Sequence, residues 1–169
     1  MGARRAAARA LTVARIPFEA LAVVGFCGAT TQGLRPGDVV VATEVRGPDG
    51  VHGCEATRIV AALEADGIAR VHAGPVVSAD HIVRGAERTS LAAEGALAAD
   101  MESAWLAPAA AGRPFAVVRV VLDTPASGLS RPLALVSGAM LAWRTLRRLA
   151  PALTLWALGA VSPQAHVGG

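Results

Sequence analysis

The chain has 169 residues, 53% of them apolar and 17% charged, with a formal net charge of +3. That length and apolar content suit one domain spanning the whole chain and exclude a disordered one, because so apolar and weakly charged a sequence collapses. All 16 basic residues are arginine, and without lysine or tyrosine the pI near 10.0 overstates a small excess, so no nucleic-acid partner is expected.

Residues 3–15 are alanine-rich and helical, with Arg4, Arg5, Arg9 and Arg15 leaving an apolar face. Those arginines also interrupt any continuous apolar stretch of an export signal, and Ala at position 6 excludes myristoylation of Gly2. Leu21–Gly28 reads as a buried strand running into a glycine turn, and residues 30–37 as a loop punctuated by Gly33, Pro36 and Gly37. Asp38–Val45 is β-branched and strand-like, and Arg46–Gly53 reads as a polar, turn-rich loop.

Glu55–Ala65 has helical spacing, with Ile59, Val60 and Leu63 on one side and Gly67 past its end. Val71–Ala79 is the next strand and residues 84–93 the next helix. Ala96–Asp100 is a short strand leading into a helix over Met101–Ala111. Phe115–Leu122 is a near-continuous apolar strand ending at Asp123, and helices over Leu133–Leu149 and Ala152–Leu158 follow. Alternating strands and helices, with strands apolar on both faces, predict an α/β domain. The expected architecture is a three-layer α/β/α sandwich around a mixed, largely parallel central sheet.

Cys27 and Cys54 lie far apart with no CxxC, and the four histidines form no ligand spacing with them. Reduced cytoplasmic thiols and no metal are therefore expected. No run reaches the apolar length of a spanning helix. The C-terminal segment, however, sets Arg144, Arg147 and Arg148 before an apolar tail with Leu149, Leu153, Leu155, Trp156 and Leu158. Such a helix can lie at the inner face of a membrane, although packing on the sheet is the more usual fate.

Three strand exits carry polar or glycine-rich residues, and in parallel sheets a ligand crevice lies at the carboxyl ends of strands. Gly25-Phe26-Cys27-Gly28 lets backbone amides approach a ligand, or is simply a structural turn. In Asp100-Met101-Glu102, Asp100 reads equally well as a helix cap, while Glu102 could accept hydrogen bonds from a vicinal diol beside an apolar Met101. Asp123, directly after a buried strand, is a turn aspartate or a partly desolvated acid suited to passing a proton.

Taken together these segments resemble the nucleoside phosphorylase and nucleosidase superfamily, the group of purine nucleoside phosphorylases and methylthioadenosine/adenosylhomocysteine nucleosidase. The resemblance rests on the glycine strand exit, Leu34-Arg35-Pro36-Gly37-Asp38-Val39-Val40, Asp100-Met101-Glu102-Ser103-Ala104 and Arg119 to Asp123, in order over residues 20–125. LAADMESAWLA, FAVVRVVLDTP and Arg131-Pro132 look most like the phosphorylase-like proteins of bacterial hopanoid synthesis, which release adenine from adenosylhopane.

The resemblance implies Asp123 at the purine N7 as catalytic acid, Glu102 on the ribose hydroxyls, Met101 against the sugar, and Gly25, Phe26, Cys27 and Gly28 around base and phosphate. It implies a nucleoside substrate, no cofactor beyond inorganic phosphate as a co-substrate, and a homo-oligomer. Two departures stand out. The family commonly has serine where this chain has Phe26, and its opening strand and most of its first glycine loop are expected to be missing, which makes an N-terminally truncated fold the expectation. A nucleoside-binding or oligomer-forming relative without turnover is the alternative.

Overall fold

The computed structural model describes residues 2–126 and 132–161. Helix α1 (Gly2–Val13) precedes β1 (Leu21–Ala29), and β2 (Val39–Gly47) turns back into β3 (Gly50–Gly53). Then come α2 (Thr57–Ala65), β4 (Val71–Ser78), α3 (Gly85–Ala93), β5 (Ala98–Asp100) and the single turn α4 (Ser103–Leu106). A 3₁₀ turn over Ala107–Ala110, β6 (Phe115–Asp123), α5 (Pro132–Arg148) and α6 (Ala150–Val161) complete the order.

Six strands form one mixed sheet in the order β3-β2-β4-β5-β1-β6. The pairs β1–β6, β2–β4 and β4–β5 are parallel, while β1–β5, β2–β3 and β2–β6 are antiparallel. Because β2 also pairs with β6, through Val39↔Val120 to Val41↔Val118, the sheet curls back on itself. Strand β2 therefore has neighbours on both sides and side chains buried on both faces: Val39, Val40, Val41 and Ala42 are all fully buried.

Each face of the sheet carries its own core, which gives the three layers. Val23, Val40, Val76, Val117 and Val121 pack with Ala104, Ala107 and Ala110 of α4 and the 3₁₀ turn. Val39, Val41, Val118 and Val120 pack with Ile59 and Leu63 of α2 and with Ala142, Leu149, Ala152 and Trp156 of α5 and α6. Trp156 donates its indole N–H to Glu55 at 3.0 Å, so the apolar tail is docked along this layer. Leu155 and Leu158 stay exposed.

Three local readings need correction. The segment expected as a loop over Arg46–Gly53 contains strand β3, a hairpin closed by Gly50 at φ +125°. Its residues are mostly exposed and it stands at the end of the strand order, paired with Glu44–Gly47 of β2, so no apolar alternation announces it. The helix expected over Met101–Ala111 survives as one turn, because Pro108 has no N–H to continue it and the chain tightens into a 3₁₀ turn. Strand β5 begins at Ala98 rather than Ala96, since the Ala96 N–H is taken by Leu91 O at the end of α3. Arg131 lies outside the described residues.

Candidate active site

The strand register builds the site. Across the parallel β1–β6 pair, Gly25 stands opposite Arg119 and Gly28 opposite Asp123, with an irregularity between Cys27 and Gly28. That bulge lets a three-residue step on β1 match a four-residue step on β6. On the other side of β1, Gly28 faces Ala99, and β4 sets Ser78 opposite Asp100. The glycines are needed for space. A Cβ at Gly25 would collide with Arg119 Nη1, and one at Gly28 would lie 2.6 Å from Arg88 Nη2.

All seven residues singled out from the sequence, Gly25, Phe26, Cys27, Gly28, Met101, Glu102 and Asp123, line one cavity of about 400 Å³. The same walls include His81, Ile82, Val83, Arg88, Asp100 and Arg119. The two carboxylates thus share a crevice, although one leaves β5 and the other leaves β6. Phe26 reaches back toward the helical layer of α2, α5 and α6, leaving no hydroxyl at that point.

Asp100 and Arg119 form the floor. Arg119 Nη2 lies 2.6 Å from Asp100 Oδ2, with both side chains almost wholly buried. Asp100 Oδ1 accepts from Ser78 Oγ at 2.5 Å and from the backbone N–H groups of Glu102 and Ser103 at 3.2 and 3.3 Å. Ser103 Oγ donates to Asp100 Oδ2 and accepts from Arg119 Nη2 at 2.7 Å. Asp100 thus accepts the first amide of α4, but the cap position itself falls on Glu102 and not on Asp100 as the sequence suggested, because the helix starts only at Ser103. The consequence for Glu102 is a fixed backbone and a half-exposed side chain, with Oε2 3.9 Å from Arg119 Nη1.

Asp123 is held from the other direction. Arg88, on α3, donates from Nη2 to Asp123 Oδ2 at 2.8 Å, with both side chains close to buried. Sequence reasoning missed Arg88, which reads as one more arginine on a polar helix. Arg119 could have been found, because a lone arginine inside a buried strand requires a buried counter-charge. At the rim, His81 bonds Asp80 through Nδ1 at 2.8 Å and Glu87 through Nε2 at 2.9 Å. The bond to Asp80 and then the bond to Glu87 keep the imidazole protonated to higher pH than usual. Burial pushes the Cys27 thiol up, so it stays protonated within the cavity wall, and burial moves Cys54 to about 12. Among the described residues no group of His, Cys, Asp and Glu side chains is set to hold a metal ion.

The sequence model of the phosphorylase superfamily matches residues 1–140. The chain belongs to the phosphorylase superfamily. No curated protein matches its sequence. Solved structures of similar fold include the 5′-methylthioadenosine/S-adenosylhomocysteine nucleosidase of Neisseria meningitidis in complex with methylthio-immucillin-A. Its TM-score is 0.75 at 19% identity, covering 91% of this chain and 77% of that one. The corresponding Helicobacter pylori nucleosidase, with butyl-thio-DADMe-Immucillin-A, gives 0.74 at 19% identity over 89% and 76% of the two chains. Futalosine hydrolase of Helicobacter pylori strain 26695 gives 0.73 at 17% over 89% and 76%. At these identities the likeness is one of fold, and this superfamily member shares with those structures the mixed sheet covered by helices.

Proposed function

We propose that this chain cleaves the N-glycosidic bond of a purine nucleoside, with Glu102 on the ribose and Asp123 on the base. The observation that carries the reading is the meeting of these two carboxylates in a single cavity of nucleoside size. As the C1′–N9 bond breaks, its electron pair goes to the purine, which takes a proton through Asp123. The sugar becomes oxocarbenium-like, and the Glu102 carboxylate, holding the 2′- and 3′-hydroxyls, stabilises its positive charge. Oxygen of phosphate or water then bonds to C1′, and the proton that the water or hydrogen phosphate sheds replaces the one passed through Asp123 to the purine. Met101 packs against the sugar, and the amides around Gly25, Cys27 and Gly28 face the base and the attacking oxygen.

The nucleosidases of similar fold are named for 5′-methylthioadenosine and S-adenosylhomocysteine, which supports a 5′-substituted adenosine as substrate here. The motif likeness to hopanoid-associated proteins favours an adenosyl-lipid such as adenosylhopane. A second cavity of about 900 Å³ shares His81 with the first; Ala7, Leu91 and Trp105 line it beside Arg46, Asp80 and Glu94, and it offers room for a long 5′-group. A homo-oligomer, and peripheral membrane contact through the exposed Trp143, Arg144, Arg147, Leu155 and Leu158, belong to the same reading. Among the described residues no helix is long and apolar enough to cross a membrane.

The experiment is to follow adenine release from adenosine, methylthioadenosine and an adenosyl-lipid, with and without phosphate. Release that is strongly slowed but still measurable in Asp123→Ala and Glu102→Ala is the expected result, and unchanged release in either variant overturns its role. Phe26, which offers no hydroxyl to phosphate or water, favours a second reading, a nucleoside binder without turnover. Calorimetry that detects binding where no adenine appears selects that one.

A further inference from the structure

Arg88 has the features of a residue held for one task. It is 7% exposed, and among the described residues its hydrogen bond goes to Asp123 while its Nε is buried without a partner. A buried arginine that serves packing alone is normally bonded through most of its donors, because each unpaired one costs free energy. The guanidinium reaches Asp123 by crossing the bare backbone at Gly28, where a Cβ would stand 2.6 Å from Nη2. Both residues line the nucleoside-sized cavity and also a third cavity, whose wall includes Thr30, Thr31, Arg84 and Thr89.

We infer that Arg88 is a positioning residue for Asp123, clamping Oδ2 so that Oδ1, the oxygen beside Gly28, is presented to the purine. The inference rests on the cleavage reading above and adds to it the group that orients the acid. Although it borders the same cavity, Arg88 is assigned to act through Asp123 and not on sugar or base directly. Its contribution belongs to the step in which the departing purine takes a proton, and it has no part in gripping the ribose. A leaving group that needs no proton therefore has no use for it.

The test compares wild type, Arg88→Met, Arg88→Lys, Asp123→Asn and the Arg88→Met/Asp123→Asn double variant. Two substrates are used, adenosine or methylthioadenosine and a 4-nitrophenyl riboside, whose phenolate departs unprotonated. Arg88→Met is expected to lose about 10–100-fold in kcat on the adenine nucleoside and less than about threefold on the nitrophenyl riboside, within the range of a positioned acid. Lysine should restore part of the loss, and in the Asp123→Asn background removal of Arg88 should cost little more. Equal losses on both substrates, or losses that multiply in the double variant, assign Arg88 to folding alone and overturn the inference. A carbon-linked adenosine analogue that cannot be cleaved is titrated in parallel. Binding by a wild type that cleaves nothing sinks the cleavage reading. The inference then stands only if Arg88→Met weakens that binding in the wild-type background and not in Asp123→Asn. Absence of binding and cleavage together sinks both.

Discussion

Gly28 stands directly opposite Asp123, and a Cβ added to it would lie 3.0 Å from Asp123 Oδ1 and 2.6 Å from Arg88 Nη2. The glycine is therefore a matter of space, since its backbone has none of the positive φ that would demand glycine by conformation. Gly28→Ala should displace the Arg88 guanidinium and turn the Asp123 carboxylate by a fraction of an ångström. Misplacement on that scale costs about 10–100-fold in kcat/KM, while the strand pairing survives. Adenine-release kinetics beside a thermal melt check it. Wild-type kinetics in the alanine variant would remove the steric argument.

A different dependence is expected at Asp100 and Arg119, whose charges meet at 2.6 Å with almost no solvent at either. Removing one partner strands the other in a dry interior, and such single deletions cost about 3–5 kcal/mol. Arg119→Met should therefore lower the free energy of unfolding by about that amount, read from urea denaturation. The Ser78 and Ser103 hydroxyls and the Glu102 and Ser103 amides all bond the same Asp100 carboxylate, so Asp100→Ala should loosen the Glu102 backbone as well. A loss below about 1 kcal/mol in both variants contradicts a buried pair.

The residues of the cavity were legible where chemistry and strand ends coincide. Phe115–Leu122 announces a buried strand by its apolar run, and Asp123 is conspicuous as the carboxylate that ends it. Gly25, Gly28 and Glu102 lie at the ends of equally plain segments. What stayed hidden depends on pairing across long stretches of chain. Arg88 is buried only because Gly28, sixty positions earlier, has no side chain, and nothing local on α3 records that. The β2–β6 contact is equally non-local, since both strands read as central valine runs whichever neighbour they take. Strand β3 escaped for the opposite reason: exposed on most of its length, it has no apolar period to display.

Asp38 makes the acid end of the stability profile predictable. Burial opposes its charge, but hydrogen bonds from the Arg70 side chain and the Arg35 backbone, with the Arg70 charge, outweigh burial and hold it below the usual 3.8. A carboxylate with a lowered folded pKa contributes stability that is complete above its unfolded value and lost as pH falls through the folded one. Wild-type stability should accordingly decline as pH drops below 3.8, and part of that decline should be missing in Asp38→Asn. At neutral pH the variant should be less stable by about 1–3 kcal/mol, since Arg70 and the Arg35 amide lose a charged acceptor. Urea midpoints from pH 7 to pH 2 measure both. Parallel profiles for the two proteins would exclude Asp38 as a source of the acid response.

Glu102 offers the sharpest separation between a sugar-binding carboxylate and one that merely begins a helix. Its backbone is fixed by Asp100 and its side chain, half exposed, borders the cavity at 3.9 Å from Arg119. A carboxylate aimed at two hydroxyls discriminates against ligands that lack them, because it is then desolvated without a partner. Wild type should favour adenosine over 2′,3′-dideoxyadenosine by at least about 100-fold in kcat/KM, and Glu102→Ala should collapse that ratio toward unity, chiefly by losing adenosine. Thermal stability should change little, because α4 draws its cap from the Asp100 carboxylate rather than from the Glu102 side chain. If the ratio is kept while both substrates slow together, Glu102 is not on the diol, and the hydroxyls must be gripped from another wall of the cavity.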